Sequence, residues 1–213
     1  MIKRTYPILL TVLLIISTMM AVIGVLSRPS KSRAVYNLAN VPSNPEQNLK
    51  AGMWENYVSL ILPNDGLQLN HFKILKDTAG KEASLKRISA GKYKLVLRYS
   101  FADCEVCVDT VISKIRLLEK QFDTKDFLAI TSEYSDREFS IKAESKNYML
   151  PIFNLEEKDL GLSLENKQLP FLFVLTPELR VIKIFIPLRE FPQQIEEYLV
   201  QGFTFVNTSN NNL

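Results

Sequence analysis

The segment that most limits how this chain can fold runs from residue 94 to residue 122. It opens with Lys94-Leu-Val-Leu-Arg-Tyr99, where Leu95, Val96 and Leu97 are consecutive, the pattern of a strand covered on both faces. It closes with Cys104, Val108, Val111, Ile115, Leu118 and Phe122, spaced 4, 3, 4, 3 and 4, which make one stripe of a helix. At the junction stands Cys104-Glu105-Val106-Cys107, and these are the only two cysteines of the chain. A Cys-x-x-Cys where a strand gives way to a helix is a place for dithiol–disulfide chemistry. Asp103 suits the N-cap of that helix, since its carboxylate can accept from the free N–H groups of the first turn.

The remaining periodicities extend the pattern. Leu67 to Leu75, Phe127 to Thr131, Phe171 to Leu175 and Val181 to Ile186 read as strands, and Pro151-Ile-Phe153 as a short extended piece. Ser84 to Ile88 reads as a helical turn, and Ser135 to Tyr148 and Phe191 to Val200 as helices. Asp77-Thr-Ala-Gly80 and Pro177-Glu-Leu-Arg180 are turns. Strands alternating with helices predict an α/β fold, a mixed sheet with parallel pairing in the middle and helices on both faces. The last two strands are joined too tightly for a crossover and should form an antiparallel hairpin.

Pro7 to Leu26 is twenty residues without a charge, enough helix to cross a bilayer. That length favours an uncleaved signal anchor over a cleaved signal peptide, whose apolar core is about 7–15 residues. Lys3 and Arg4 on one side face Arg28, Lys31 and Arg33 on the other, so flanking charge does not orient the span. A lone N-terminal anchor commonly leaves its long C-terminal part outside, which would put the cysteines in a compartment where disulfides persist. The expected layout is an anchor over 1–28, a juxtamembrane linker over 29–66 able to carry a short helix through Trp54 and Tyr57, a folded domain over 67–202 and a disordered tail over 203–213. The Asn-rich tail carries Asn207-Thr-Ser209, which matches a glycosylation sequon and arises easily by chance in such composition. Net charge is +3, with Lys3 and Arg4 supplying two of the positive charges, so nothing points to nucleic acid.

Over Leu69 to Val200 the chain resembles the thioredoxin superfamily, and more narrowly its TlpA-type membrane-anchored thiol-disulfide oxidoreductases. Phe72-Lys-Ile-Leu-Lys-Asp-Thr-Ala-Gly-Lys-Glu-Ala-Ser-Leu85 is similar to that family's first hairpin. Tyr99-Ser-Phe-Ala-Asp-Cys-Glu-Val-Cys107 stands where the family carries Trp-Ala-x-Trp-Cys-x-x-Cys, and Leu169-Pro-Phe-Leu-Phe-Val-Leu175 resembles the segment with its cis-proline. The resemblance implies that Pro170 is the cis-proline facing the cysteines and that Leu169 offers its backbone to a substrate strand. Read without it, Pro170 is an ordinary trans proline at a strand edge. The chain departs from the family at Asp103, where a tryptophan is usual, at Val106 in place of proline, and at Thr110, where some members hold an acid. The proton acceptor for Cys107 therefore stays open. Peroxiredoxins share the fold but need Thr or Ser three residues before the reactive cysteine; Phe101 occupies that place before Cys104.

The implied activity is that of a thiol-disulfide oxidoreductase in which Cys104 is the exposed nucleophile and Cys107 the resolving thiol, with no cofactor and no metal. The single His71 is too early in the chain to complete a zinc site with the pair. A helix N-terminus favours a thiolate by ~0.3–1 kcal/mol, and by ~2 kcal/mol where partly buried. Glu105 opposes it: a unit charge about 6 Å away costs roughly 0.7 kcal/mol in water and roughly 2.8 kcal/mol at an effective dielectric of about 20. Asp103, if ionised, adds to the opposition. These near-balanced terms make Glu105 and Asp103 candidates for tuning the potential, towards a reductant rather than a strong oxidant. Glu105 is equally read as a first-turn acid that satisfies the helix dipole. The expected partners are a disulfide-bearing protein client, an upstream membrane thiol electron donor, and the membrane through the N-terminal helix. Alternatively the domain is a degenerate thioredoxin-like module that binds a partner without redox turnover, or its disulfide only braces the helix.

Overall fold

A computed structural model describes residues 54–55, 58–133, 135–145, 150–157 and 159–213. The apolar run Pro7 to Leu26, the start of the linker and Tyr57 lie outside the described residues. No helix among the described residues is long and apolar enough to cross a membrane.

Consecutive apolar residues become the middle of the sheet because only there are both strand faces covered. Strand β3 (Lys94–Arg98) is buried at all five positions, as are β4 (Phe127–Thr131) and β6 (Phe171–Leu175). With β1 (Ile74–Lys76), β2 (Glu82–Ser84), β5 (Ile152–Leu155) and β7 (Val181–Phe185) they form one seven-stranded sheet in the order β2-β1-β5-β4-β3-β6-β7. β3 and β4 pair in parallel, as do β4 and β5, whereas β6 is antiparallel to both β3 and β7. The mixed sheet and the closing hairpin are those expected from the sequence.

Alternation along these strands sorts the core into two layers. Leu95, Leu97, Phe127, Ala129, Leu172 and Val174 point to one layer. There they meet the stripes of α2 (Glu105–Leu118), α3 (Asp136–Ser145) and α4 (Pro192–Asn211). Val96, Leu128, Ile130, Phe171, Phe173 and Leu175 point to the other. That face is covered more thinly, by α1 (Leu85–Ser89), the 3-10 turn Ser163–Lys167 and connecting segments. Helices thus lie on both faces, the three long ones on a single face. α1 begins where Ser84 accepts from the Arg87 N–H, and α3 where Ser135 accepts from the Glu138 N–H.

Three boundaries differ from the sequence reading. The strand expected over Leu67 to Leu75 is two pieces at opposite edges of the sheet. Gly66 and Leu69 donate to Val181 and Leu179 beside β7, while Ile74–Lys76 pairs with β2 and β5. Asn70 breaks the run, its side chain accepting from the Phe72 N–H at 2.9 Å. The folded domain also begins before residue 67. Asn64 is wholly buried, donates to Leu60 O and accepts from the Ser163 N–H, and Leu60 and Ile61 pack on the second layer.

The third correction concerns residues 203–211, expected to be disordered. They are the last turns of α4, because Phe203 and Val206 are fully buried. Asn210 locks the end in place: its side chain accepts from the Tyr93 N–H (2.8 Å) and donates to Tyr93 O (3.1 Å) and Asp126 Oδ2 (2.9 Å). Asparagine-rich composition suggested solvent; here one asparagine pairs both the N–H and the carbonyl of Tyr93, just before β3. Gly202 lets α4 press on the central strand, since a Cβ there would stand 3.0 Å from Leu95 Cδ1. Asn210→Ala removes three hydrogen bonds from a partly buried clamp and is expected to cost about 1–3 kcal/mol in urea unfolding. An unchanged midpoint and slope would contradict this account of the terminus.

Candidate functional site

The chain leaves the sheet at the end of β3 under tight control. Tyr99 donates to Ile130 O and accepts from the Ser132 N–H, and Phe101 donates to Ser132 O, so the β3–β4 pairing continues to Phe101 and Ser132, beyond the ends of both strands. The loop Ser100 to Asp103 then closes on itself. The Asp103 carboxylate accepts from both the Ser100 N–H and the Ser100 hydroxyl, each at 2.8 Å, and the Asp103 N–H donates to Ser100 O. Asp103 is therefore not the N-cap of α2. Its side chain is used one turn earlier, and the cap is Cys104, whose Sγ accepts from the Cys107 N–H at 3.3 Å.

Cys104 and Cys107 are joined as a disulfide with their Cα atoms 5.3 Å apart. The two sulfurs are not equivalent. Cys104 is half-buried at the mouth of the helix, while Cys107, one turn in, is only 7% exposed. The more exposed cysteine is thus also the one at the helix N-terminus, where a backbone N–H and the dipole favour negative charge. Glu105 is exposed in the first turn and Val106 is 56% exposed. The Thr110 hydroxyl donates to Val106 O at 2.7 Å, a bond within the helix, so the position where some TlpA-type members hold an acid is occupied by helix self-pairing.

Leu169 and Pro170 reach the same end of the sheet. Arg98 pairs with Phe171, so Pro170 follows on past the pair, beyond the end of β3 where the cysteine loop begins. Pro170 is buried and Leu169 half-buried. The peptide bond before Pro170 is trans, as are all those among the described residues, which corrects the cis geometry implied by the resemblance. The chain changes direction one step earlier, at Gln168, which takes a left-handed φ of 55° as it leaves the 3-10 turn. His71 sits beside Phe72 in the turn after Asn70. No group of three or more His, Cys, Asp or Glu among the described residues is placed to hold a metal.

Behind the cysteine loop lies a set of charges that sequence reasoning missed. Arg98 is 2% exposed; its Nε donates to Glu165 Oε1 at 2.6 Å and its Nη2 to Ser132 Oγ at 2.7 Å, while Nη1 donates to Tyr99 O. Glu165 also accepts from the backbone N–H groups of Leu160 and Leu162. One buried ion pair therefore ties together the exit of β3, the end of β4 and the segment leading to Leu169-Pro170. Glu133 is buried as well, bonded to Lys142 Nζ at 2.7 Å, and lines a cleft of about 100 Å³ with Tyr99, Asp103 and Glu105. The signal for Arg98 was a charge ending an apolar strand, which in a two-sided strand demands a buried counter-ion.

Burial pushes the Asp103 carboxyl above its ordinary value, opposed by the bonds from Ser100 and by the Arg98 charge. A folded-state value above the unfolded 3.8 means that Asp103 favours the fold fully below pH 3.8, and that this contribution is lost as pH rises through the folded value. Asp103→Asn removes that loss, so its stability relative to the parent should improve as pH rises through that window. Urea unfolding of the oxidised protein from about pH 3 to pH 7 reads this; an offset that does not move with pH would contradict it. Arg98→Met leaves Glu165 buried without its cation and is expected to cost about 3–5 kcal/mol, with the Arg98→Met/Glu165→Met pair costing clearly less than Arg98→Met alone.

No family model matches this sequence. No curated protein matches it either. Among solved structures, it is similar to the peroxidoxin BcpB from Mycobacterium tuberculosis, at 15% identity over 68% of this chain and 97% of that one, with a TM-score of 0.48. It is also similar to a thiol:disulfide interchange protein from Bacteroides sp., at 15% identity over 67% and 90%, TM-score 0.44. A third is the thioredoxin domain of a thiol-disulfide oxidoreductase from Bacteroides vulgatus, at 18% identity over 59% and 91%, TM-score 0.42. The strand order, the parallel β3-α2-β4 unit with Cys-x-x-Cys at its turn and the antiparallel β6–β7 hairpin make this a thioredoxin-like fold.

Proposed function

We propose that this chain is a membrane-anchored, extracytoplasmic thiol-disulfide oxidoreductase that reduces disulfides in partner proteins. The observation that carries the reading is the asymmetry of the pair: Cys104 half-exposed at the N-terminus of α2, Cys107 buried one turn behind it. In the reduced protein the Cys104 thiolate attacks one sulfur of a client disulfide. A Cys104–client bond forms, and the other client sulfur leaves as a thiolate that takes up a proton. Cys107, deprotonated, then attacks Cys104 Sγ. The Cys104–Cys107 disulfide forms, the second client thiol is released, and two electrons have passed to the client. A dithiol donor at the membrane returns the pair to the reduced state.

The reductant direction follows from the electrostatics around Cys104. The helix N-terminus stabilises a thiolate, while Glu105 in the same turn and Asp103 just before it oppose one. A thiolate with no net advantage leaves the dithiol form without special stability, and so the potential low. Leu169, at the same end of the sheet, supplies the backbone against which an extended client segment can lie. The twenty uncharged residues Pro7 to Leu26 are the proposed anchor.

Thiol trapping in glutathione or dithiothreitol buffers is expected to show a reversible two-electron transition near the thioredoxin value of about −270 mV. Cys104→Ser should abolish disulfide reduction, and Cys107→Ser should accumulate a mixed disulfide through Cys104. Full reductase activity in Cys104→Ser, or a potential close to about −120 mV, would overturn the mechanism or its direction respectively.

A further inference from the structure

Taking the redox reading of Cys104 and Cys107 as its basis, we propose that the cleft between the Phe101 loop and α3 receives the client, and that it selects segments whose cysteine is flanked by a basic and an apolar side chain. The cleft begins at the reacting end of α2, with Glu105 and Val108, and passes over Asp103 to Glu133 and Lys142. It then continues outward along α3 over Phe101, Glu138 and Ile141. The cleft thus starts at the two chain neighbours of Cys104, Asp103 and Glu105, and offers a surface that a bound peptide can follow.

Two properties of this surface set the chemistry of its occupant. The first is exposed apolar area: Phe101, 38% exposed, and Ile141, 54% exposed, line the cleft, and Val106, 56% exposed, stands between the two cysteines in the chain. Large apolar side chains clustered beside a reactive group mark a contact surface. The second is charge. The described lining carries four carboxylates, on Asp103, Glu105, Glu133 and Glu138, against the single ammonium of Lys142. Lys142 is itself matched by Glu133 at 2.7 Å. Residues 54–213 carry 20 Lys and Arg against 22 Asp and Glu, so the negative excess of this part of the chain is concentrated in the cleft. A cleft of one sign focuses the opposite charge and raises its encounter rate. The complementary occupant is a client segment with Lys or Arg beside its cysteine and an apolar residue to cover Phe101 and Ile141.

The test uses the full chain, reduced, reacting with disulfide-bonded peptides that differ only in the residues flanking cysteine: Lys and Leu, Glu and Leu, or Lys and Ser. The Lys/Leu peptide is expected to react at least about 5-fold faster than the Glu/Leu peptide at low salt. That gap should close near 1 M salt, where charges are screened within about 3 Å. The Lys/Ser peptide should be slower than Lys/Leu at both salt concentrations. Glu138→Lys should reduce or invert the charge preference. Glu178→Lys, in the exposed turn between β6 and β7 at the other end of the strands, should leave it intact. Equal rates for the Lys and Glu peptides, or a preference that survives Glu138→Lys, would overturn the assignment of the cleft. If no peptide reacts whatever its flanks, the thiol chemistry itself fails and the proposed function falls with it.

Discussion

Burial of β3 on both faces, with a charged residue at each end, is the constraint on which the other parts depend. Leu95 and Leu97 serve one layer and Val96 the other, so helices or loops must cover both sides before the strand is stable. Its ends, Lys94 and Arg98, are buried like its middle positions, and each needs a counter-ion brought from elsewhere in the chain. Asp126 answers Lys94, and through Asn210 that pair also holds the end of α4. Glu165 answers Arg98, and through its other bonds holds the segment before β6. No buried side-chain nitrogen or oxygen among the described residues is left without a partner, as a core with this many internal charges requires.

The site inherits its geometry from that strand. Because Arg98 also grips Tyr99 O and Ser132 Oγ, the loop into Cys104 leaves from a rigid edge. The loop is then made self-sufficient by the Ser100–Asp103 ring of hydrogen bonds. With Asp103 occupied there, the first turn of α2 is capped by sulfur instead of a carboxylate. The result places Cys104 at the positive end of a fourteen-residue helix and Cys107 behind it in the core. Two carboxylates nearby temper the positive field. This combination of a helix terminus and close acids separates the site from one built to stabilise a thiolate strongly.

Most of the architecture was legible along the chain because it rests on short-range periodicity. Phe127 to Thr131 and Phe171 to Leu175 have the bounds read from their consecutive apolar residues, and α2 has the stripe read from Val108 to Leu118. What was misread turned on single asparagine side chains, one bonded two residues on and two bonded to remote segments. Asn70 ended a strand, Asn64 extended the domain backwards, and Asn210 turned an apparent tail into helix. Asparagine in a sequence suggests loop or solvent; which backbone group it will satisfy is invisible until the chain has folded. Pro170 shows the converse, where family resemblance implied a cis bond and the local chain instead turns at Gln168.

The amino-acid sequence by itself determined the strand–helix framework, the position of Cys104-Glu-Val-Cys107 at its central junction and the order of the two thiols along the helix, because each follows from spacing within a few residues. Only the tertiary structure decided that Cys104 and not Asp103 caps α2, that Arg98 and Glu165 form the buried brace behind the loop, and that Glu133, Glu138 and Ile141 line one cleft beside α3. The brace and the cleft are contacts between segments tens of residues apart, set by how buried charges find partners once the sheet has closed, while the cap turns on which of two adjacent side chains the Ser100 loop takes up.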